Sequence, residues 1–276
     1  MKSDCGPSGC STCRSSAALA QMGLEIGKYD YVVALAGNPN TGKSSLFNAL
    51  TGLKQHTGNW PGKTVTRAEG GYTFGAKRYK LVDLPGTYSL LSAAQDEEIA
   101  RDFILFGRPD CTVVVTDSTC LERNLNLVLQ ILEVSDRVVV AVNLMDESRR
   151  KGIEVDLRQL SRELGVPAVG TAARTGEGMR RLLEEVELMA TGETLTRPHR
   201  VMRDGDFQRA VGELVPKIEE AVPGLPNARW VAMRLLDGDL RVQEALVTGE
   251  LAEIAARQAM PVEDRVPLTV ALDGRQ

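Results

Sequence analysis

The chain has 276 residues, of which 43% are hydrophobic and 25% are charged, and its formal net charge is −4. These values are typical of a globular protein with one sizeable core and a second, smaller one. The acidic balance argues against a dominant nucleic-acid-binding surface. No apolar run reaches the roughly 18 residues that a membrane span needs, and the first residues lack the apolar stretch of a secretion signal. We therefore expect a cytosolic protein with reduced cysteines.

Residues 1–28 are rich in Ser, Gly and Cys and carry little apolar periodicity, which predicts a flexible tail. Cys5, Cys10 and Cys13 follow a C-x4-C-x2-C spacing, and three such thiolates could hold Zn²⁺ or an iron–sulfur cluster with a fourth ligand from elsewhere. The tail itself offers no fourth Cys or His. Free thiols are therefore the prediction that we favour.

Apolar runs alternate with helical patterns through residues 29–192. Residues 53–64 are polar and Gly-rich and predict a loop, so Trp60 is not expected in a core. The alternation predicts an α/β fold in which a mostly parallel sheet is flanked by helices. Strands are predicted at 31–36, 65–74, 78–82, 111–116, 137–142 and 167–170, and helices at 44–52, 96–106, 121–134, 156–164 and 177–190.

A polar linker, Thr191–Arg203, separates this region from one without strand-like runs. Helical periodicity returns there, punctuated by Pro and Gly, and Trp230 lies among apolar residues at helical spacing, which predicts a core position. The helices are predicted at 207–222, 228–236, 240–247 and 251–260. We therefore predict a small all-α module over residues 193–270.

Residues 37–44, GNPNTGKS, match the phosphate-loop pattern GxxxxGK[ST] between a predicted strand and a predicted helix. The backbone N–H groups of such a loop point at phosphate oxygens, and the helix N-terminus adds a favourable dipole. Lys43 is predicted to reach the β- and γ-phosphates, and the Ser44 hydroxyl to bind Mg²⁺. The predicted phosphate-binding residues are Gly37, Asn38, Asn40, Thr41, Gly42, Lys43, Ser44 and Ser45.

A second motif, Asp83-Leu84-Pro85-Gly86, ends another predicted strand. Asp83 is predicted to hold Mg²⁺ through water, and the Gly86 N–H to meet the γ-phosphate. Ras-type enzymes follow this motif with a Gln that positions the attacking water, whereas Thr87 and Tyr88 follow it here. We therefore expect slow hydrolysis, and the residues do not identify a general base.

A third motif, Asn143-Leu144-Met145-Asp146, follows a predicted strand and indicates which base is bound. Asp146 can accept hydrogen bonds from the N1–H and the exocyclic amine of guanine, a donor pair that adenine lacks. Thr171, Ala172 and Ala173 follow the last short strand, and their backbone N–H groups could close over the base. Together the ordered motifs predict a Ras-like P-loop GTPase.

The order of these motifs looks like that of the translation-factor-related GTPases. More closely, HTGNWPGKTVTR, VDLPGTYSL and DSTCLERNLNLVLQILE resemble the N-terminal G domain of the bacterial ferrous-iron transporter family FeoB. The resemblance covers about residues 30–190. The helical region is similar in size and placement to the guanine-nucleotide-dissociation-inhibitor (GDI) module of that family.

The resemblance implies further site residues. Thr64 would be the switch I threonine that binds Mg²⁺ and senses the γ-phosphate, with Thr66 as the nearby alternative; an oxygen ligand suits this hard cation. Asn40, with the backbone carbonyls of Gly58 and Trp60, would bind K⁺, unless Asn40 only pins the loop through its side chain. Catalytic roles would fall to Lys43, Thr64 and Gly86.

The resemblance also implies a function. The chain would bind GTP or GDP with Mg²⁺ and K⁺, and would act as the nucleotide switch of a ferrous-iron transporter at the cytoplasmic face of the bacterial inner membrane. Switch I would be about residues 53–66 and switch II about 86–97. The membrane-embedded transporter portion would be a partner outside this chain, nucleic acid would not be one, and a homo-oligomer stays open. The alternative is a ribosome-assembly or tRNA-modifying GTPase.

Overall fold

The computed structural model describes Leu19, Leu24 and residues 29–52, 55–60, 63–90, 94–200, 204–225 and 227–259. The chain divides into two compact units. One unit covers Ile26–Val201, and the other combines Met1–Glu25 with Met202–Gln276.

The first unit is built on a seven-stranded sheet in the order β2-β3-β4-β1-β5-β6-β7. Strands β4, β1, β5, β6 and β7 run parallel to one another, whereas β3 pairs antiparallel with both β4 and β2. The strands are β1 Tyr31–Gly37, β2 Gln55–Asn59, β3 Thr66–Phe74, β4 Lys77–Asp83, β5 Cys111–Asp117, β6 Val138–Asn143 and β7 Ala168–Gly170. The predicted mostly parallel α/β fold is confirmed.

Helices follow most of the strands. In the first unit they are α1 Lys43–Thr51, α2 Gln95–Asp102, α3 Leu121–Val134, α4 Met145–Arg150, α5 Leu157–Leu164 and α6 Met179–Thr191, with a π-helical turn at Phe103–Gly107. In the second unit they are α7 Gly205–Ala221, α8 Ala228–Leu236, α9 Leu240–Val247 and α10 Glu250–Ala259.

The central strands are buried along their whole length because their sequences are nearly continuous apolar runs. One core cluster contains Leu35 of β1, Val113 of β5 and Val139 of β6. Phe47 of α1 and Leu182 of α6 belong to the same cluster. This packing fixes the strand ends from which the motif loops emerge.

Two segments differ from the sequence prediction. Part of the predicted loop 53–64 forms β2, which pairs with β3 from Gln55↔Gly70 to Asn59↔Thr66. The residues His56–Asn59 of this strand are exposed, so no apolar pattern announces it. The single helix predicted at 96–106 is α2 followed by the π-helical turn, whose apolar residues Phe103, Ile104 and Leu105 are buried.

The predicted linker after α6 is held against the first unit where it is described. The Arg197 N–H donates to the Gly165 carbonyl at 3.2 Å, and the His199 N–H donates to the Leu164 carbonyl at 3.0 Å. The Thr196 hydroxyl donates to the Asp136 carbonyl. The boundaries 29–192 and 193–270 remain predictions.

The second unit is helical in its described part, as the sequence predicts. Trp230 is 6% exposed, which confirms its predicted core position. Leu19 and Leu24, from the segment predicted as a tail, are buried in the same unit, and the Leu24 N–H donates to the Leu19 carbonyl at 3.1 Å. Cys5, Cys10 and Cys13 lie outside the described residues. Among the helices that are described, none combines the length and apolarity of a membrane span.

Candidate nucleotide site

The motif loops converge because of the strand directions. Five strands run parallel, so their carboxyl ends lie at one edge of the sheet, where α/β proteins bind ligands. Gly37 ends β1, Asp83 ends β4, Asn143 ends β6 and Gly170 ends β7. The predicted phosphate-binding and base-binding segments therefore meet at this edge.

The phosphate loop joins β1 to α1. Gly42 precedes α1 with φ +79°, a left-handed conformation that favours glycine, and a Cβ there would lie 2.4 Å from Asn143 Nδ2. Within the loop, the Thr41 hydroxyl donates to the Asn38 carbonyl at 2.9 Å. Asn38 and Thr41 are buried, whereas Asn40, Ser44 and Ser45 are exposed. In the part of the chain that the structure describes, no side-chain hydrogen bond caps the start of α1. The N–H groups of a helix start can bind an anion.

Asn143 joins three of the predicted segments. Its side chain is fully buried, and its Nδ2 donates to the Thr41 carbonyl in the phosphate loop at 2.9 Å. Its Oδ1 accepts from the Thr171 hydroxyl at 3.2 Å and from the Ala173 N–H at 3.1 Å. One amide thus fixes the phosphate loop to the loop after β7. The sequence motif alone did not predict this bridging role.

Lys43 and Asp83 form an ion pair. Lys43 Nζ donates to Asp83 Oδ1 and, at 2.7 Å, to the Leu84 carbonyl, and both charged side chains are largely buried. Burial raises the pKa of Asp83 above its ordinary value, while Lys43 acts in the opposite direction. Lys43, predicted to bind the phosphates, is therefore paired with Asp83, predicted to bind Mg²⁺.

The segment after Asp83 is held against β1 and the phosphate loop. The Leu84 N–H donates to the Leu35 carbonyl at 2.9 Å, and the Thr87 N–H donates to the Gly37 carbonyl at 3.2 Å. Gly86 faces Pro39, since a Cβ at position 86 would lie 3.5 Å from the Pro39 backbone. Gly86 thus lies beside the phosphate loop, and its contact with the γ-phosphate stays a prediction.

The two residues after Gly86 are already engaged. The Thr87 side chain is buried, and its hydroxyl donates to the Ser89 carbonyl at 2.6 Å. Tyr88 is exposed, and the Arg123 guanidinium lies 4.6 Å from its ring centroid. Neither side chain has the amide that positions water in Ras-type enzymes.

Thr64, the predicted switch I threonine, faces helix α2. Thr64 is exposed, and its hydroxyl lies 3.5 Å from Gln95 Oε1 in α2. Beside it, Lys63 Nζ donates to Glu98 Oε2 at 3.1 Å. Thr66, the alternative, starts β3 and is exposed. Among the hydrogen bonds of the described residues, none joins Thr64 to Ser44 or Asp83.

Trp60 belongs to the core, so the expectation that it does not was wrong. It is 4% exposed, its ring meets Phe103 edge-on at 5.5 Å, and the Arg67 guanidinium lies 5.4 Å from its centroid. Phe103 lies far along the chain from Trp60, which is why the local sequence suggested a loop. The Trp60 carbonyl, a predicted K⁺ ligand, accepts from the Lys63 N–H at 3.0 Å. Gly58, another, lies exposed in β2.

Asp146, the predicted base-reading residue, lies in the first turn of α4. Its Oδ2 accepts from Arg174 Nη2 at 3.0 Å. This hydrogen bond is the main reason why the pKa of Asp146 is below its ordinary value. The side chain of Asp146 is 17% exposed, whereas that of Arg174 is 75% exposed.

The loop after β7 satisfies its own backbone. The Thr171 N–H donates to the Val142 carbonyl at 2.8 Å, and the Ala172 N–H donates to the Glu177 carbonyl at 3.0 Å. The Glu177 carboxylate accepts two hydrogen bonds from Arg149 of α4, at 2.8 and 2.5 Å. Sequence reasoning missed Arg149 and Glu177, because a single arginine and a single glutamate carry no motif.

The fold and the ordered loops define the class of protein. A phosphate loop, a DxxG segment and an NxxD segment lie at the carboxyl edge of one mostly parallel sheet, which is the architecture of a P-loop GTPase domain. Among the described residues, no group of three or more His, Cys, Asp and Glu side chains forms a metal cluster.

Comparison with known proteins identifies the family. The family profile described as "Ferrous iron transport protein B" matches residues 31–186, more than half of the chain. The chain therefore belongs to the FeoB family and contains the N-terminal GTPase domain of that family. This family membership favours the transporter hypothesis over a ribosome-assembly or tRNA-modifying GTPase.

Individual relatives agree with this assignment. A fusion of Fe(2+) transport protein A with the Fe(2+) transporter FeoB from Porphyromonas gingivalis is 38% identical over 231 residues, which are 82% of this chain and 27% of that protein. The Fe(2+) transporter FeoB of Salmonella typhimurium is 37% identical over 215 residues, 75% of this chain and 27% of that protein. The chain thus spans about a quarter of the length of these relatives.

A solved structure resembles the chain over most of its length. The cytosolic domain of the T. maritima FeoB iron transporter, in a GDP form, superimposes with a TM-score of 0.73 at 35% identity. The alignment covers 86% of this chain and 97% of that one.

Proposed function

We propose that this chain binds GTP and GDP and hydrolyses GTP slowly, as the nucleotide switch of a ferrous-iron transporter. The observation that carries the proposal is the buried Asn143 side chain, which ties the phosphate loop to the loop after β7. Such a tie holds the triphosphate-binding and base-binding segments at a fixed separation. The GDP form of the T. maritima relative supports guanine-nucleotide binding by this chain.

The proposed nucleotide contacts follow from the loops. Gly37, Lys43 and their neighbours would cradle the phosphates, with Lys43 leaving Asp83 for the β- and γ-phosphates and Gly86 meeting the γ-phosphate. Asp146 would accept from the guanine N1–H and amine, and the Thr171–Ala173 loop would close over the base.

Ser44, Thr64 and Asp83 would hold Mg²⁺. The donor set fits, because two hydroxyls and a carboxylate are the oxygen ligands that this cation prefers. When bound, the ion would neutralise charge on the β- and γ-phosphates. Thr64 would have to leave Gln95 for this role, so Mg²⁺ and GTP binding would move switch I.

Asn40, with the carbonyls of Gly58 and Trp60, would hold K⁺. The residues fit, because Asn40 is exposed within the phosphate loop, and the Trp60 carbonyl keeps a second lone pair beyond its bond from Lys63. The cation would supply the positive charge that an arginine finger supplies in other GTPases.

The transporter role extends the proposal to the whole protein. Because the relatives are Fe(2+) transporters and the chain spans only part of their length, we place it at the cytoplasmic face of the bacterial inner membrane. Its partner would be the membrane-embedded portion. Ordered switch loops in the GTP state and their release after hydrolysis would carry the signal.

Phosphate release tests the enzymatic part. The nucleotide-free chain is mixed with GTP and Mg²⁺ in matched KCl and NaCl, and single-turnover phosphate release is followed. We expect slow release that is faster in KCl, and an Asn40→Ala variant that loses the difference. Asn126→Ala is a matched control, because Asn126 is an exposed asparagine on α3.

The outcomes separate the parts of the proposal. Absence of phosphate release in both salts would contradict GTP hydrolysis by this chain. Equal rates in the two salts would contradict the K⁺ site and leave the GTPase assignment standing.

A further inference from the structure

The carboxylate of Asp146 already has a partner in this structure. Arg174 Nη2 lies 3.0 Å from Asp146 Oδ2, and the two side chains line a surface cleft of about 420 Å³. Arg149, Arg150 and Thr175 complete the lining. The group proposed to read guanine is thus engaged by a residue of the same chain.

The chemistry of this partner matches that of the proposed ligand. Guanine presents an N1–H and an exocyclic amine side by side. A guanidinium likewise presents parallel N–H donors that match the two oxygens of a carboxylate. The arginine also carries a full positive charge, which strengthens its hydrogen bond. Arg174 therefore offers Asp146 the same kind of donors that the base would offer.

Arg174 is able to leave. Its side chain is 75% exposed, so displacing it uncovers little apolar surface. The other two arginines at the cleft have their own carboxylates: Arg149 holds Glu177, and Arg150 donates to Glu147 at 2.9 Å. Among the described residues, the guanidinium that donates to Asp146 is that of Arg174.

The loop that carries Arg174 is held close to α4. The Thr175 N–H donates to the Ala172 carbonyl at 3.0 Å, and Ala172 forms a β-bridge with Glu177. Through Glu177, Arg149 fastens the far end of this loop to α4. Arg174 therefore contacts Asp146 from a short loop whose two ends are held by hydrogen bonds.

We propose that Arg174 is an intramolecular competitor of guanine, which occupies the Asp146 carboxylate in the nucleotide-free protein and is displaced when the base binds. This inference rests on the proposed function of Asp146. Displacement costs one exposed ion pair, so Arg174 lowers the affinity for GDP and GTP alike, by roughly two- to fivefold. Because salt screens exposed charges, this effect shrinks at high ionic strength.

Calorimetric titration of the nucleotide-free full chain with GDP tests the proposal. Wild type, Arg174→Ala and Arg150→Ala are compared at low and high KCl. Arg150 is the matched control, because it lines the same cleft and pairs with Glu147 instead. We expect Arg174→Ala to bind GDP roughly two- to fivefold more tightly at low salt. This increase in GDP affinity should be smaller at high salt, and Arg150→Ala should bind GDP with the affinity of wild type.

The results distinguish this proposal from the function on which it rests. Weaker or equal GDP binding by Arg174→Ala would overturn the competitor role, since weaker binding means that Arg174 contacts the nucleotide. Failure of wild type to bind GDP would instead contradict the proposed function. In an Asp146→Asn background, Arg174→Ala should no longer change GDP affinity, because the carboxylate is gone. A persistent gain there would also overturn the proposal.

Discussion

The proposed nucleotide site has two sides that are built differently. The base side comprises Asn143, Asp146 and the Thr171–Ala173 loop, and the switch side comprises the region around Thr64. On the base side, the fully buried Asn143 makes three hydrogen bonds to two other loops. On the switch side, Trp60 is buried, but Thr64 is exposed and contacts Gln95. The neighbouring Lys63 side chain is 34% exposed and pairs with Glu98. Buried, satisfied networks open rarely, whereas solvent-exposed contacts open easily.

This difference suggests how one domain combines recognition with switching. The segments proposed to bind the base are held together by Asn143, so little ordering entropy would be lost when the nucleotide binds. Thr64, which is proposed to sense the γ-phosphate, has an exposed contact that a ligand can replace.

The largest expected effect is that of Lys43→Ala. Lys43 is the first residue of α1, pairs with Asp83 and carries the charge proposed for the phosphates. Its loss removes charge-assisted hydrogen bonds, so GDP affinity should fall by at least about a hundredfold. Calorimetric titration measures this, with circular dichroism to verify the fold. A fall of less than tenfold would contradict the role of Lys43.

Asn143→Ala should destabilise the α/β unit. It leaves the Thr41 carbonyl, the Thr171 hydroxyl and the Ala173 N–H without their buried partner, at a cost of about 3 kcal/mol in the free energy of unfolding. Calorimetry of the nucleotide-free full chain should show a lower melting temperature for this unit. Asn126→Ala, at an exposed site, is the control and should melt like wild type. An unchanged melting temperature for Asn143→Ala would contradict a fixed base side.

Asp146→Asn should change the preferred base. Asn offers a donor where guanine also offers one, so GDP affinity should fall by roughly tenfold or more. Xanthosine diphosphate has a carbonyl at that position, so its affinity should rise. Competition titrations measure both. Asp206→Asn, at an exposed carboxylate of the helical unit, should change neither. GDP affinity that survives Asp146→Asn would refute the assigned base contact.

The smallest effect should come from Lys63→Ala. Its ion pair with Glu98 is partly exposed and should contribute no more than about 1 kcal/mol. The melting temperature of the nucleotide-free chain should therefore change by only a few degrees, in contrast to Asn143→Ala. A decrease in melting temperature as large as that caused by Asn143→Ala would mean that the switch side is as rigid as the base side.

The same contrast explains what the sequence could predict. The apolar runs of β1, β5 and β6 identify a buried parallel sheet, and GNPNTGKS and DLPG have spacings that require a strand end. These features are local. They are therefore sufficient to locate the phosphate loop and the proposed base-reading segment at strand ends.

Features that depend on contact with another segment were missed. The polar strand β2 exists because it pairs with β3, and Trp60 is buried because Phe103 and Arg67 pack on its ring. The contact of Arg174 with Asp146 likewise joins the loop after β7 to the first turn of α4. No spacing rule in the sequence relates such residues.

The most direct test of the account is base selectivity. The nucleotide-free chain is titrated in a calorimeter with GDP, GTP, ADP and ATP in the presence of Mg²⁺. We predict measurable binding of both guanine nucleotides and none of the adenine nucleotides under the same conditions. Equal binding of the two bases, or binding of neither, would contradict the account.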